Sequence, residues 1–227
     1  MTRDEQKRVV AAAAMAYVRE GMTVGVGTGS TAAFFIEALA ARPALVAAAV
    51  PSSEASAAAL RAAGIRLVGL DESPSLPLYV DGADAVDPRL RLIKGAGGAL
   101  AREKVVASAA ELFVCIVDES KLVERLGDRA TGPAGVPVPL AVLPMAAAFV
   151  AERVRALGGT SVVRPGYHSD DGMTILDVTG LDLDDPERLE AELGVIPGVL
   201  ESGVFARRPA DVVLAGADDG VRTIVAR

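Results

Sequence analysis

LIKGAGGALAREKVVASA, residues 92–109, is the stretch around which this chain is organised. Lys94 opens a turn that consists of Gly95, Ala96, Gly97 and Gly98. No helix breaker follows the turn, so the next residues predict a helix that carries Glu103. Because glycines leave backbone N–H groups able to face an anion, the cation, the turn and the carboxylate together predict a site for a small polar ligand. The alternative is an ordinary glycine loop before a helix, with Lys94 and Glu103 in solvent.

A second glycine-rich turn lies upstream, between a predicted buried strand at residues 23–27 and a predicted helix at residues 32–39. It contains Thr28, Gly29, Ser30 and Thr31. The unpaired N–H groups and the positive dipole end of the helix favour a phosphate here. The turn matches neither the dinucleotide fingerprint nor the P-loop, so neither NAD nor ATP is favoured. The alternative is a plain strand-to-helix turn that is capped by Ser30 or Thr31.

Acidic residues follow two further predicted strands. The strand at residues 78–80 leads into Asp81, Gly82, Ala83 and Asp84. Ligands bind outside the carboxyl ends of strands in open parallel sheets, which makes Asp81 and Asp84 candidates for chemistry. An Asp-Gly turn is the structural alternative. The strand at residues 112–117 is likewise followed by acidic residues and then by Lys121.

The order of the elements predicts an α/β fold. In the first 130 residues, predicted strands at 23–27, 45–50, 65–70, 78–80 and 112–117 alternate with helices, beginning with a helix at 4–19. This alternation predicts a Rossmann-like, mostly parallel sheet that is covered by helices. A Pro-, Gly- and Val-rich segment at 131–139 predicts a boundary. Elements in the order βαββαβ then predict a small α+β ferredoxin-like lid over residues 131–205, and residues 206–227 return to the main sheet.

Composition excludes several classes of protein. The net charge is −7 and no basic run occurs, so we expect no nucleic-acid partner. The polar N-terminus and the absence of a long apolar stretch predict a cytoplasmic protein without a membrane span, and the single cysteine, Cys115, fits that compartment. His168 is the single histidine, so the chain cannot contain both a histidine-based catalytic triad and a separate cluster of metal-ligating histidines. Lys7, Lys94, Lys104 and Lys121 are the only lysines among 23 basic residues, and they are candidates for places that need a compact ammonium. The alternative is a position at the surface, which is the one we expect for Lys104.

Several motifs, in the same order along nearly the whole chain, resemble the type A ribose-5-phosphate isomerase family. They are GVGTGSTA, PSSEAS, YVDGAD, KGAGGALAREK, VDESK, LPMA and IPGVLESGVFARRPADVVLAG. The resemblance implies an α/β main domain with a ferredoxin-like lid, and no metal or organic cofactor. It also implies the interconversion of ribose 5-phosphate and ribulose 5-phosphate, in the non-oxidative pentose phosphate pathway, by homodimers or homotetramers.

The resemblance assigns roles residue by residue. Glu103 is the implied general base, while Asp81, Asp84 and Lys94 handle the substrate hydroxyls and ring opening. The implied phosphate-binding residues are Thr28, Gly29, Ser30, Thr31 and Lys121, with Lys7 assisting. Further substrate contacts are implied for Gly82, Ala83, Gly95, Ala96 and Gly97. The chemistry agrees, because a carboxylate can move a proton between C2 and C1 while an ammonium and backbone N–H groups stabilise the enediolate.

Two departures from the family pattern keep alternatives open. The family usually has a glutamate where this chain has Ala85, and a glycine where it has Ala96. The loss of a carboxylate and the added methyl group favour, as an alternative, a non-catalytic sugar-phosphate-binding protein on the same fold. A third hypothesis is an acyl-CoA-dependent transferase with Glu103 as nucleophile. A metal-assisted hydride shift fits less well, since it would need a ligand set that includes histidine.

Overall fold

The structure, a computed structural model, describes residues 1–127 and 135–225. The chain divides into two compact units. The first comprises Met1–Ala83, Arg102–Ser120 and Ala210–Arg227, and the second comprises Asp84–Ala101 and Lys121–Pro209. The predicted lid boundary between residues 130 and 131 lies outside the described residues, so the domain limits given above stay a prediction.

The first unit is built on a six-stranded sheet. Its strands are β1 (Met22–Val26), β2 (Val46–Pro51), β3 (Leu78–Asp81), β6 (Phe113–Asp118), β12 (Val212–Ala217) and β13 (Gly220–Val225), and they lie in the order β13-β12-β6-β3-β1-β2. All neighbours are parallel except β12 and β13, which are antiparallel. Every residue of the central strands β3, β6 and β12 is buried, as continuous apolar runs in a covered parallel sheet should be.

The helices of the first unit are α1 (Arg3–Ala14), α2 (Ser30–Ala40), α3 (Glu54–Ala62) and α4 (Leu100–Ala109), of which α4 belongs to it from Arg102 onward. A capping box between Thr2 and Glu5 starts α1. Val10 of α1 and Phe35 of α2 lie in one apolar core with residues of the sheet. Short 3₁₀ turns, Met15–Tyr17, Pro43–Leu45 and Glu119–Lys121, complete the connections.

The strand order places a topological switch point between β1 and β3. The chain leaves β1 toward β2 on one side, whereas β3 and β6 extend the sheet on the other side. The segments that follow β1 and β3 therefore diverge at the carboxyl edge of the sheet, where open α/β sheets bind ligands. This topology positions the 28–31 turn and Asp81 at the same edge.

The second unit contains a four-stranded antiparallel sheet. Its elements are β7 (Val138–Val142), α5 (Ala147–Ala156), β8 (Thr160–His168), β9 (Thr174–Thr179), α6 (Pro186–Gly194) and β10 (Val199–Ser202). The strands lie in the order β10-β7-β9-β8. A 3₁₀ turn, Pro144–Ala146, precedes α5. This is the βαββαβ ferredoxin-like arrangement that the sequence predicts. Its core includes Leu140, Val150, Leu176 and Leu193.

The fold class predicted from the sequence is confirmed, but details differ. The predicted strand at residues 65–70 is wrong, because only Leu67 forms a bridge, to Ala49 of β2, before the chain turns away at Gly69. Helix α1 ends at Ala14 rather than at residue 19. A three-stranded sheet was not predicted; it consists of β4 (Ala85–Val86), β5 (Leu92–Ile93) and β11 (Val204–Phe205). In the described part of the chain, no helix combines the length and apolarity that a membrane crossing requires.

Candidate active site

The turn at residues 27–31, called here the first turn, opens α2 with an exposed helix N-terminus. Gly29 is the N-cap residue and has a φ of 98°, a left-handed value that favours glycine, and no side chain caps the helix. Gly29 and Ser30 are exposed, while Thr31 is half-buried. Since the first N–H groups of a helix have no intrahelical acceptor, this end can receive an anion. The alternative of a cap by Ser30 or Thr31 is wrong, because the helix begins at Ser30 itself.

Asp81 connects the first turn to the end of β3. One of its oxygens, Oδ1, accepts hydrogen bonds from the N–H groups of Thr28 at 3.0 Å and Gly82 at 2.7 Å. The other, Oδ2, accepts from the Tyr79 hydroxyl. The carboxylate is fully buried, and these donors offset the cost of removing it from water. A Cβ atom on Gly27 would overlap the Asp81 carboxyl group, so only glycine fits there.

A cluster of hydroxyl groups supports the first turn from α3. The Thr28 hydroxyl hydrogen-bonds those of Ser53 and Ser56, the latter at 2.8 Å. Ser56 also donates to the carbonyl of Gly27 at 2.5 Å. Ser53 is the N-cap of α3, and its side chain accepts from the N–H of Ser56 at 3.1 Å. The Thr28 hydroxyl and the Gly27 carbonyl are thereby satisfied by buried side chains of this cluster.

Glu103 lies in the first turn of α4 and is 3% exposed. A carboxylate there is favoured by the helix dipole. Burial raises the pKa of the Tyr79 phenol well above its ordinary value of 10.0, and the charges of Asp81 and Glu103 raise it further. Tyr79 is therefore a neutral hydroxyl donor that both carboxylates influence. An ion pair of 2.9 Å between Arg102 and Glu54 joins the first turns of α4 and α3.

The segment after Asp81 adjoins the N-terminus of α2. A Cβ atom on Gly82 would lie 3.8 Å from Cβ of Thr31. The first unit thus brings together four of the predicted residues, which are Thr28, Thr31, Asp81 and Gly82. The charge of Glu103 raises the pKa of Tyr79, whose hydroxyl binds Asp81. Hydroxyls, amides and two buried carboxylates at one sheet edge can bind a polyol and move its protons.

The second unit holds Asp84, Lys94 and the turn at residues 95–98, called here the second turn. Lys94 is 2% exposed, and its ammonium group lies 5.7 Å from the centre of the Phe205 ring. Its backbone N–H donates to the carbonyl of Gly203 at 2.9 Å, which fixes the entry to the turn. Asp84 accepts a hydrogen bond at 2.9 Å from the N–H of Ala96. A cation, a carboxylate and turn amides are therefore combined in this unit.

The remaining predicted residues lie at the following places. Ala83 and Lys121 are half-buried, and Gly97 is exposed. Lys121 ends the 3₁₀ turn after β6, whereas Lys7 of α1 pairs with Asp4 at 3.3 Å. The surface position expected for Lys104 is wrong, because this residue of α4 is buried. Ala85 is buried in the apolar core of the second unit, and Ala96, with its methyl group, is exposed. Within the described ranges, no group of three or more His, Cys, Asp and Glu side chains is arranged to hold a metal ion.

Sequence reasoning missed several residues that contact the predicted ones, and four of them donate hydrogen bonds through their side chains. Two of these, Tyr79 and Ser56, lie in the first unit, and a signal for Tyr79 was available because residues i and i+2 of a strand share a face. The other two, Arg164 and Tyr167 of β8, donate to carbonyl groups of the second turn. No local pattern marks them, since about seventy positions separate them from the turn in the sequence.

Comparisons with known proteins extend over nearly the whole chain. A family model described as ribose 5-phosphate isomerase A (phosphoriboisomerase A) matches residues 48–220. Ribose-5-phosphate isomerase A of Acidithiobacillus ferrooxidans is 50% identical over 221 residues, which cover 97% of this chain and 98% of the relative. The crystal structure of ribose 5 phosphate isomerase A from Neisseria gonorrhoeae is similar with a TM-score of 0.94 and 43% identity, covering 100% and 98% of the two chains.

A further solved structure contains a ligand. It is a D-ribose-5-phosphate isomerase in complex with phospho-erythronic acid, with a TM-score of 0.92 and 34% identity. The similarity covers 99% of this chain and 100% of the other. The likeness therefore includes both of the units described above.

Proposed function

The chain belongs to the ribose 5-phosphate isomerase A family, and from this membership we propose how its residues carry out the aldose-ketose isomerisation of ribose 5-phosphate. The observation that carries the proposal is the 50% identity to a ribose-5-phosphate isomerase A over 97% of the chain. The reaction belongs to the pentose phosphate pathway. What remains to be assigned is the role of each residue.

Glu103 is the proposed general base. After the furanose ring opens, its carboxylate removes the proton from C2 of the aldehyde, and the electron pair moves to the C1 oxygen to form an enediolate. The same group returns the proton to C1 while the proton of the C2 hydroxyl passes to the C1 oxygen, so C2 becomes the carbonyl carbon and C1 carries a hydroxyl. Support comes from the burial of Glu103 and from its effect on Tyr79, the phenol that binds Asp81.

Lys94 and the second turn are the proposed stabilisers of the enediolate. The ammonium group of a buried lysine interacts with a developing oxyanion far more strongly than one in water does. Lys94 and the amides of Gly95 and Gly97 would therefore lower the barrier to proton removal, while the Ala96 amide holds Asp84. The chemistry requires no metal or organic cofactor, because the charge that develops is met by groups of the chain itself.

Asp81 and Asp84 are the proposed partners of the sugar hydroxyls and of the ring oxygen during ring opening. They occupy the two ends of a four-residue segment, with Gly82 and Ala83 between them. Asp81 is held rigidly by three donors, which suits a group that must fix the orientation of a hydroxyl. Asp84 is half-buried and accepts one amide, so it keeps acceptor capacity for a ligand.

The first turn is the proposed phosphate site. Thr28, Gly29, Ser30 and Thr31 would supply hydroxyl and amide donors at the N-terminus of α2, and Lys121 would supply a cation, with Lys7 assisting. A related isomerase is in complex with phospho-erythronic acid, a ligand that also carries phosphate. Binding energy from the phosphate would orient the sugar at a distance from the reacting carbons. We further propose a homodimer or homotetramer in the cytoplasm, without nucleic-acid or membrane partners.

One experiment separates the isomerase from its alternatives. The purified protein is incubated with ribose 5-phosphate in deuterated water, and the products are followed by NMR. The proposal predicts ribulose 5-phosphate that carries deuterium at C1. Binding without turnover would instead support the non-catalytic alternative, for which the comparisons offer no support. Turnover that requires an acyl-CoA would support the transferase hypothesis.

A further inference from the structure

The carbonyl groups of three consecutive residues in the second turn are all held by side chains of β8. Arg164 donates to the carbonyl oxygen of Ala96 at 2.9 Å and to that of Gly95 at 3.3 Å. Tyr167 donates its hydroxyl proton to the carbonyl oxygen of Gly97 at 2.7 Å. The two residues therefore bind one side of the turn at every peptide unit between Gly95 and Gly98.

Arg164 is itself held in a fixed orientation. Its guanidinium makes two hydrogen bonds to the carboxylate of Asp177 on β9, at 2.9 Å and 2.5 Å. It also lies 5.5 Å from the centre of the Tyr167 ring. The hydrogen bond to Asp177 raises the pKa of Arg164 above its ordinary value, so the donor keeps its proton at any working pH. Arg164 thus makes two hydrogen bonds to a carboxylate and further hydrogen bonds to two carbonyl groups. This requires the several N–H donors of a planar guanidinium group, which lysine lacks.

Gly98 and Tyr167 fit each other sterically. A Cβ atom on Gly98 would overlap the phenol ring of Tyr167, and Gly98 has a φ of 77°. The glycine therefore allows the ring to approach closely enough to reach the carbonyl of Gly97. This contact is a packed one, with Tyr167 lying beside Leu100, Ala141 and Ile175.

Fixing the carbonyl groups also fixes the amides. In a trans peptide, the C=O of one residue and the N–H of the next point in opposite directions. The N–H of Ala96, opposite the Gly95 carbonyl, donates to Asp84. The N–H of Gly97, opposite the Ala96 carbonyl, finds no acceptor among the residues that the structure describes. Its orientation is nevertheless set by Arg164.

We propose that Arg164 and Tyr167 are positioning residues for the isomerisation, which hold the second turn so that its Ala96 and Gly97 amides stay aimed at Asp84 and at the developing enediolate. The inference rests on the proposed function of the second turn. Neither side chain touches the reacting atoms in this account. Each acts through the turn, by removing the freedom of its peptide planes before the substrate arrives.

Two conservative variants test the proposal, each with a matched control. Tyr167→Phe removes one hydroxyl and keeps the ring, and Tyr17→Phe is its control in the other unit. Arg164→Lys keeps the charge and removes the fork, and its control is Arg125→Lys, an exposed arginine that also pairs with an aspartate, Asp184. For each protein we would measure kcat, KM, thermal unfolding, and the Kd values of phospho-erythronic acid and of inorganic phosphate.

The expected result is a change in catalysis with little change in phosphate binding. Tyr167→Phe should lower kcat about fivefold, the effect of one neutral hydrogen bond, and Arg164→Lys should lower it about a hundredfold, the effect of a misplaced catalytic group. KM and the Kd of inorganic phosphate should stay within about twofold, while the Kd of phospho-erythronic acid, whose carboxylate resembles the enediolate, rises in parallel with the loss of kcat. Both controls should match the wild type.

Other outcomes overturn the inference without affecting the proposed function. If the wild type turns over ribose 5-phosphate and both variants keep its kcat, the hydrogen bonds from Arg164 and Tyr167 to the second turn are merely structural. The same holds if kcat falls only in proportion to the fraction of unfolded protein. If Arg164→Lys fails to fold, the kcat of Tyr167→Phe alone tests the proposal. This variant should fold, because it keeps the ring that packs against Gly98. A wild type without turnover would instead contradict the proposed function.

Discussion

The first turn and the second turn both present backbone amides, yet different parts of the chain fix them. The first turn is fixed mainly by buried groups of its own βα neighbourhood, which are the Asp81 carboxylate at the end of β3 and the hydroxyls of Ser53 and Ser56 on α3. The second turn is fixed by two side chains from β8, which belongs to a separate sheet. In the first turn, a carboxylate accepts from a backbone N–H and hydroxyl groups bind the Thr28 hydroxyl and the Gly27 carbonyl. In the second turn, the two side chains bind only backbone carbonyl groups.

The difference bears on what each turn tolerates. The groups that support the first turn are buried, so a substitution of one of them leaves a polar atom without a hydrogen-bond partner at a place that water does not reach. Groups that support the second turn are half-buried, and its Ala96 and Gly97 are exposed, so water can replace a lost contact. We therefore expect larger losses from equivalent substitutions in the first turn than in the second.

The largest difference is expected between Asp81→Asn and Asp84→Asn. An amide at position 81 cannot accept from all three donors that converge on the carboxylate, so kcat/KM should fall by about a thousandfold. At position 84 the side-chain oxygen of asparagine can still accept from the Ala96 amide, so only the charge and the second acceptor oxygen are lost, and a fall of about a hundredfold is expected. Steady-state kinetics with ribose 5-phosphate measures both. Equal losses would show that the network around Asp81 adds nothing to its role.

A second pair of substitutions adds a methyl group to each turn. In Gly27→Ala the methyl meets the buried Asp81 carboxyl group, which has no room to move, and the free energy of unfolding should fall by about 3 kcal/mol with at least a hundredfold loss of activity. In Gly98→Ala the methyl meets the outer end of the half-buried Tyr167 ring, which can shift more easily than the buried Asp81 carboxyl group, and strain at the positive φ of residue 98 should cost about 1 kcal/mol. Urea unfolding of both variants checks that Gly27→Ala is the less stable of the two. The opposite order would contradict the prediction.

Removal of the Tyr79 hydroxyl should have an intermediate effect. Tyr79→Phe keeps the stacking on Phe113 but takes one donor from Asp81, so we expect about a tenfold lower kcat. Tyr17→Phe is the control. Because the folded protein raises the pKa of Tyr79, the phenol contributes stability that is complete below pH 10.0 and is lost as the pH rises above it. Wild-type stability should therefore decline more steeply than that of Tyr79→Phe above this pH, and parallel curves would contradict the assignment.

The smallest effect is expected from Ser56→Ala. The variant loses the hydrogen bond to the Gly27 carbonyl and should be less stable by about 1 kcal/mol. If the first turn binds phosphate, KM should rise about threefold while kcat stays within about twofold. Ser108→Ala, at an exposed position of α4, is the matched control. A loss confined to kcat would argue that the hydroxyl cluster serves the chemistry rather than the phosphate.

Much of the first unit could be predicted from the sequence, because local patterns determine it. Apolar runs mark β1, β3 and β6, and a glycine turn followed by hydroxyls marks the start of α2. The predicted strand at residues 65–70 failed for a physical reason: it would pair with β2 at the edge of the sheet, and only Leu67 reaches it. The two-residue strands β4, β5 and β11 carry no periodic signal, since two residues cannot show an alternation.

The candidate site was predictable where residues lie close to a motif and not where contacts are distant in sequence. Asp81, Lys94 and Glu103 could be proposed from the turns and strand ends beside them. The partnership of Arg164 and Tyr167 with the second turn depends on how β8 folds back, and nothing in the local sequence of β8 indicates it. Ala85, read as the loss of a carboxylate, proves to be buried among apolar residues such as Leu140, a position that its neighbours in the sequence do not reveal.

The central claim is that Glu103 moves the proton between C2 and C1, and Glu103→Gln tests it most directly. Wild type and variant would be incubated with ribose 5-phosphate in deuterated water, with deuterium at C1 of ribulose 5-phosphate measured by NMR and the Kd of phospho-erythronic acid measured in parallel. We predict that the variant binds the sugar acid within about tenfold of the wild type but exchanges deuterium at least about a thousandfold more slowly. Exchange by the folded variant at close to the wild-type rate would contradict the claim.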